Sequence, residues 1–248
     1  MTRFWAIADT HLSFARPKDM ARFGGKWVDH EAQLAQHWQA QVADADVVLL
    51  PGDVSWAQQP NRVWPDLNWL RQLPGRKLLL RGNHDHWWKQ IEKVRKMAEP
   101  LGFLALEGDS VTIDGVVIAG AMGHLAPHDP FYKEDATKDR YNRELARLEA
   151  ALRHGTEARQ TDTGDPLPMI VMMHYPPFTS DGQRTAYVDL ISRFQPTMCV
   201  YGHLHHQKEW DIARNDVFEG VQYALVAADY LEMKPHLIWT TNDQSPTE

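Results

Sequence analysis

The segment KLLLRGNHD, residues 77–85, decides the fold: an apolar run stops at a glycine, and an amide, an imidazole and a carboxylate follow it directly. A short unbroken apolar run bounded by a turn signal reads as a fully buried strand. Its polar tail then lies where strands end and loops begin, the place where α/β folds gather ligands. Four other segments share this form: FWAIADTH (4–11), DVVLLPGD (46–53), MIVMMHYPP (169–177) and MCVYGHLHH (198–206).

Helical patterns separate these strands. In residues 139–155, Tyr141, Leu145, Leu148 and Leu152 recur on one helix face, with Gly155 placed as a C-terminal cap. Weaker amphipathic patterns run over 30–42 and over 63–73, the latter closed by Pro74-Gly75. Another over 87–98 carries Trp87, Ile91, Val94 and Ala98 on one side. Strand and helix in alternation predict an α/β fold. Asp114-Gly115 between β-branched residues reads as a tight hairpin, and a second hairpin is expected around Asn215, before YALVAADY (223–230). Antiparallel strands are thus added in the second half. No internal repeat is visible.

The chain has 248 residues, enough for a sizeable core, and a composition of 43% hydrophobic and 24% charged residues that excludes a disordered or fibrous class. Residues 155–168 are polar and rich in Gly, Pro, Thr and Asp, and are expected to form a mobile surface loop. One domain over 1–248 is preferred, because the chemically loaded segments lie on both sides of that loop and must converge. The net charge of −7 argues against a broad nonspecific nucleic-acid footprint, though not against a small nucleotide as substrate. Cys199 is the lone cysteine, so an internal disulfide and a thiolate metal cluster are excluded. The amino end has no signal-peptide pattern and no apolar run approaches the length of a membrane span, so a cytoplasmic protein away from membranes is expected.

The chemistry lies at the strand ends. Asp9 and His11 follow the first, Asp53 the second, Asn83, His84 and Asp85 the third, His174 the fourth, and His203 and His205 the fifth. One Asp–His pair at a strand end is ordinarily a surface hydrogen bond, but five such ends in succession are a ligand set. Mixed oxygen and nitrogen donors suit hard and borderline cations, which admits manganese, iron, zinc or nickel. The donors exceed the needs of one four-coordinate ion and fit two if a carboxylate bridges, the arrangement used for in-line displacement at phosphorus. Gly52, Gly82 and Gly202 each precede a ligand position, where a Cβ would obstruct a sharp turn or a close backbone approach.

In these ordered motifs, Asp-x-His, Gly-Asp, Gly-Asn-His-Asp, a lone His and Gly-His-x-His, the chain resembles the calcineurin-like metallophosphoesterases. The resemblance implies a four-layer αββα sandwich of two mixed β-sheets flanked by helices, with a dinuclear metal site at the strand ends. It implies one cation held by Asp9, His11, Asp53 and His205, and another by Asp53, Asn83, His174 and His203, with Asp53 bridging. The ions are expected to be divalent or of mixed valence. A hydroxide bridging them is expected to attack phosphorus. His84, off the metals, is expected to protonate or stabilise the leaving group, with Asp85 orienting its ring. GDVSWAQ (52–58) lacks the Asp-Arg pair typical of the family's protein phosphatases and looks like the smaller bacterial phosphohydrolase branch.

The expected partner is a small phosphate ester, a nucleotide included, and both phosphomonoester and phosphodiester remain open. A nuclease acting on DNA or RNA is the alternative enzyme, and a noncatalytic protein-binding scaffold the alternative class; retention of every ligand and of His84 speaks against the scaffold. Arg16, Lys18, Arg22 and Lys26 are candidates for meeting phosphate, and the stretch holding His124, His128 and Tyr132 for a lid. Trp56, Trp87 and Trp88 are candidates for base stacking, with core packing the stronger reading for Trp87. His86 and His206 adjoin ligand motifs without an assigned role.

Overall fold

A computed structural model describes residues 1–162 and 164–241. Strands β1 (Arg3–Ala6), β2 (Val47–Pro51), β3 (Arg76–Leu80) and β4 (Leu104–Leu106) lie parallel in sequence order, and β11 (His236–Thr240) pairs antiparallel with β1. The second sheet has the order β5-β6-β7-β8-β10-β9. In it β6 (Val116–Ala121), β7 (Met169–Met173), β8 (Met198–Tyr201) and β10 (Val221–Leu225) are parallel. The edges β5 (Asp109–Ile113) and β9 (Val217–Phe218) are antiparallel to their neighbours.

Side-chain alternation sorts each strand between two cores. In β2, Val47 and Leu49 face the other sheet, while Val48 and Leu50 face helices. The inter-sheet core joins Phe4, Leu49, Leu78 and Leu80 of the first sheet to Ile118, Ile170, Met172 and Val200 of the second. The outer face of the first sheet packs on α1 (His30–Gln41), α2 (Trp64–Arg71) and α3 (Ile91–Ala98) through Leu34, Trp38, Leu67, Leu70 and Val94. The outer face of the second packs on α4 (Glu134–Ala158) and α5 (Ala186–Phe194) through Leu148, Leu152, Tyr187 and Ile191. Both faces of the central strands are therefore covered, which is why they read as continuous apolar runs. Each buried Leu, Ile or Val side chain contributes roughly 1.5–3 kcal/mol. The expected four-layer sandwich is the observed one. Cys199, on β8, is fully buried in the helix-facing core of the second sheet.

Several boundaries differ from the sequence reading. Gly155 does not cap α4: the helix runs on to Ala158, and a Cβ at residue 155 would stand 2.7 Å from Met169 Sδ, so packing against the sheet selects the glycine. The stretch expected as a loop from 155 therefore begins only after Ala158, and its Thr163 lies outside the described residues. Trp87 precedes α3, which begins at Ile91, because the chain first turns through residues 85–88. The Asp114-Gly115 hairpin forms with both residues at positive φ, 47° and 82°. The second hairpin turns at Glu219-Gly220, downstream of Asn215. Among the described residues no helix is long and apolar enough to cross a membrane.

Candidate metal centre

Six parallel strands, β1, β2, β3, β7, β8 and β10, deliver their following loops to one place. Asp9, His11, Asp53 and His203 adopt φ of 58°, 45°, 52° and 74°, a left-handed conformation uncommon for residues other than glycine. Such backbone strain concentrates at functional sites, where the surrounding structure enforces it. The loops that enforce it press directly on one another. A Cβ on Gly82 would collide with the backbone nitrogen and Oδ1 of Asp53, and a Cβ on Gly202 with Oδ2 of Asp9.

Ligand atoms converge in two groups, Asp9 with His11 and His205, and Asp9 with Asp53 and His174. His205 Nδ1 lies 3.0 Å from Asp229 Oδ1, which leaves its Nε2 facing Asp9 Oδ1 at 3.5 Å. His174 Nδ1 lies 3.1 Å from the Pro51 carbonyl oxygen, which leaves Nε2 facing Asn83 Oδ1 at 2.7 Å and His203 Nδ1 at 3.3 Å. A neutral imidazole has one N–H and cannot serve both the Pro51 carbonyl and Asn83 Oδ1. With its N–H on the Pro51 carbonyl, His174 Nε2 is an acceptor facing the acceptor Asn83 Oδ1, the arrangement a cation resolves. Asp53 Oδ2 stands 3.8 Å from His11 Nε2 and 3.6 Å from His174 Nε2, between the two groups. Asp9 Oδ1 and His11 Nδ1 are buried without a hydrogen-bond partner. Buried polar atoms are ordinarily satisfied, so this donor set fits cations.

The electrostatics agree. Burial works against the Asp9 charge, but the imidazoles of His205, His174 and His11 outweigh it and hold the carboxyl below its ordinary range. Asp53 is driven well above its ordinary value by burial and by the carboxylates of Asp85 and Asp9. No Lys or Arg forms an ion pair with Asp9 or Asp53 among the described residues. Burial lowers His11, His174 and His203, favouring the neutral rings that metals require. Burial is overcome at His205 by Asp9 and Asp229, which raise it well above its ordinary value. His84 is brought to about 4 by burial and by the charges of His174 and Lys18.

Asp85 does not orient the His84 ring as expected. Its Oδ1 accepts from the backbone N–H groups of Val54 and Ser55, each at 3.0 Å, and from Trp87 Nε1 at 2.9 Å, while Oδ2 accepts from Gly82 N–H at 2.8 Å. The carboxylate pins the loops after β2 and β3 together. The His84 ring instead lies 4.6 Å from the Trp56 ring, which also stacks on His11 at 4.7 Å. Trp87 and Trp88 are fully buried in the core and present no face to a base.

Of the basic residues in the loop after His11, Lys18 places its Nζ 2.8 Å from the Trp56 ring centroid, beside the site. Lys26 donates to the Asp229 carbonyl oxygen at 3.1 Å, while Arg16 and Arg22 are exposed. In the expected lid, His124 is buried and stacked on Tyr175, and His128 is exposed. His206 opens α6 (Gln207–Trp210) and is exposed, its N–H donating to Glu209 Oε2. Sequence reasoning missed Asp229, although it follows an apolar strand as the other site residues do. It also missed Tyr175, whose ring lies 4.1 Å from that of His203.

Comparison with known proteins agrees with this geometry. The chain is 26% identical over 145 residues to the gene 66 protein of Mycobacterium phage L5, covering 57% of this chain and 70% of that one. It is 38% identical over 86 residues to the gene 66 protein of Mycobacterium phage D29, covering 34% of this chain and 41% of that one. Among solved structures, a protein of unknown function from Aquifex aeolicus shares the fold at a TM-score of 0.51 and 15% identity, with 95% of each chain covered. The sequence pattern of the calcineurin-like phosphoesterases matches residues 2–207, and with the two-sheet sandwich and its Asp–His clusters in place, the chain belongs to that family.

Proposed function

We propose that the protein is a metal-dependent hydrolase of small phosphate esters, with Asp9, His11, Asp53 and His205 holding one cation and Asp53, Asn83, His174 and His203 a second. The observation that carries this reading is the facing of His174 Nε2 with Asn83 Oδ1 at 2.7 Å and His203 Nδ1 at 3.3 Å, beside an unpartnered buried Asp9 Oδ1. When bound, the cations supply a water acidified toward neutral pH and neutralise charge on the phosphoryl oxygens. The chain's own residues do the rest. The Pro51 carbonyl and the Asp229 carboxylate fix the tautomers of His174 and His205, so that each presents Nε2 to the site. Asp85 fixes the loop backbones that aim Asp53 and Asn83. His84 lies one residue beyond Asn83, half-buried, and with its ring held neutral by burial it stabilises charge on the departing oxygen through an N–H hydrogen bond.

The test is turnover of 4-nitrophenyl phosphate and bis(4-nitrophenyl) phosphate by protein carrying two Mn²⁺ per chain. Hydrolysis of either ester is expected; none of either would end the reading. Asp53→Asn is expected to lower both metal content, measured by elemental analysis, and rate. His84→Ala is expected to keep its metals and lose ~100-fold or more in kcat. An unchanged rate in that variant would remove the leaving-group role.

A further inference from the structure

Beside the metal centre lies a cavity of about 510 Å³, within the range of roughly 300–1,000 Å³ typical of small-molecule sites. Two residues join it to the centre. Asn83 lines the cavity while its Oδ1 faces His174 Nε2, and Tyr175 lines it while its ring packs on His203. Four arginines, Arg81, Arg140, Arg143 and Arg147, line it against one carboxylate, Glu144. In a chain of net charge −7 this is a local reversal of sign, in a cleft open to solvent on the side of Arg140 and Arg143.

The arginines are not alike. Arg147 is neutralised by Glu144 at 2.7 Å and Glu107 at 3.1 Å, and forms a fixed back wall. Arg140 and Arg143 form no hydrogen bond or ion pair among the described residues. Arg81 Nε is buried without a hydrogen-bond partner, and Arg81 immediately precedes the Gly82-Asn83 turn. Residues 140, 143 and 147 share one face of α4 by their spacing of three and four. Guanidinium groups with free donor forks match the oxygens of a phosphate, which accepts bidentate bonds from several at once.

We infer that this cavity binds a second phosphate group of the substrate, so that the molecule hydrolysed carries one phosphate at the metals and another held by Arg81, Arg140 and Arg143. The inference rests on the proposed phosphoesterase reading for the group at the metals. The substrate class is then a bisphosphorylated small molecule, sugar or nucleotide, with its two phosphates separated by the span from the Asn83 loop to α4. His86 and His124, also on the cavity wall, gain a place in substrate contact that the motifs did not give them.

Calorimetric binding to the metal-loaded protein tests this without relying on turnover. Methylphosphonate reports the metal subsite, and α,ω-alkylbisphosphonates of graded chain length report both; their P–C bonds are not hydrolysed. At least one bisphosphonate is expected to bind ~10-fold or more tightly than methylphosphonate, and this preference is expected to collapse in the Arg140→Gln/Arg143→Gln variant. Both replacements are on exposed helix positions where glutamine is a good helix former, so the variant keeps the fold. No preference at any chain length, or a preference that survives the double substitution, overturns the inference. Equal binding of the matching ω-carboxyalkylphosphonate also overturns it, because the pocket would then take any anion. Failure to hydrolyse the nitrophenyl esters is distinguishable from failure of the second phosphate subsite, since the phosphonate affinities are read separately from turnover.

Discussion

Asp85 accepts four hydrogen bonds, three from the backbone of the ligand loops and one from an indole, while being completely buried. Removing the carboxylate strands all four donors at once. Asp85→Ala is expected to lose ~3–5 kcal/mol of stability, measured by urea unfolding, and to lose metal with it. Asp229 acts more narrowly, through the His205 ring and the neighbouring Tyr230 N–H. Asp229→Asn is expected to weaken metal binding by ~10–100-fold, measured by competition with a chelating dye, while urea stability of the metal-free chain changes little. The ligand residues were legible in the sequence because five motifs of ligand type follow apolar strands in succession, most of them pairing two ligand types or a ligand with a glycine. Asp229 sits between Ala228 and Tyr230 outside any such motif, and only the register of β10 brings it to the site.

At the scale of elements, β1, β2, β3, β7 and β8 were legible because burial on both faces writes an unbroken apolar run, and α1 writes its stripe of Leu34 and Trp38, whereas β4 and β11, at the edges of the first sheet, were not read. What the periodicity hid was chosen by tertiary contact. Trp87 fits a helical stripe, yet its indole bonds Asp85 and belongs to the turn. The arginines of α4 were assigned no role by the helical pattern, and it is the fold that places them on one cavity with Asn83. Strand β3 carries a further departure, Lys77, which is buried against Trp38 and Phe103 with its ammonium donating to the Leu73 carbonyl. Burial brings its pKa from 10.5 to about 8. The unfolded chain therefore holds the extra proton between about pH 8 and 10.5, and stability attributable to Lys77 rises with pH across that window. Below it the cost of burying the charge is fully present. Lys77→Met is expected to be more stable than the parent at pH 7, by on the order of 1–3 kcal/mol, with the gap closing toward pH 10 in paired thermal melts.

At the scale of the molecule, the metal centre is a joint between layers. The first sheet contributes Asp9, His11, Asp53 and Asn83, and the second His174, His203 and His205, so bound cations add a tie between two sheets that also meet through an apolar core and a few hydrogen bonds such as Ala8 N–H to the Val226 carbonyl. Chelation is expected to lower the melting temperature by several degrees, and added Mn²⁺ to restore it in a concentration-dependent way, because ions that bind only the folded state stabilise it by mass action. Asp53→Asn is expected to abolish most of that response. The alternation of strand and helix with two hairpins made an α/β class with added antiparallel strands legible, and the two-sheet sandwich came from the resemblance of the motifs; that α4 and the β3 loop line one cavity is a long-range arrangement that no local pattern records. Cys199 offers a way to watch the joint work. It is the chain's single thiol, buried on β8 three residues before the Gly202-His203 turn, and burial raises its pKa far from reactivity. A thiol reagent can modify the native chain only when β8 swings free of its neighbours, so the labelling rate is a clock on the opening of the strand that carries the Gly-His-Leu-His loop.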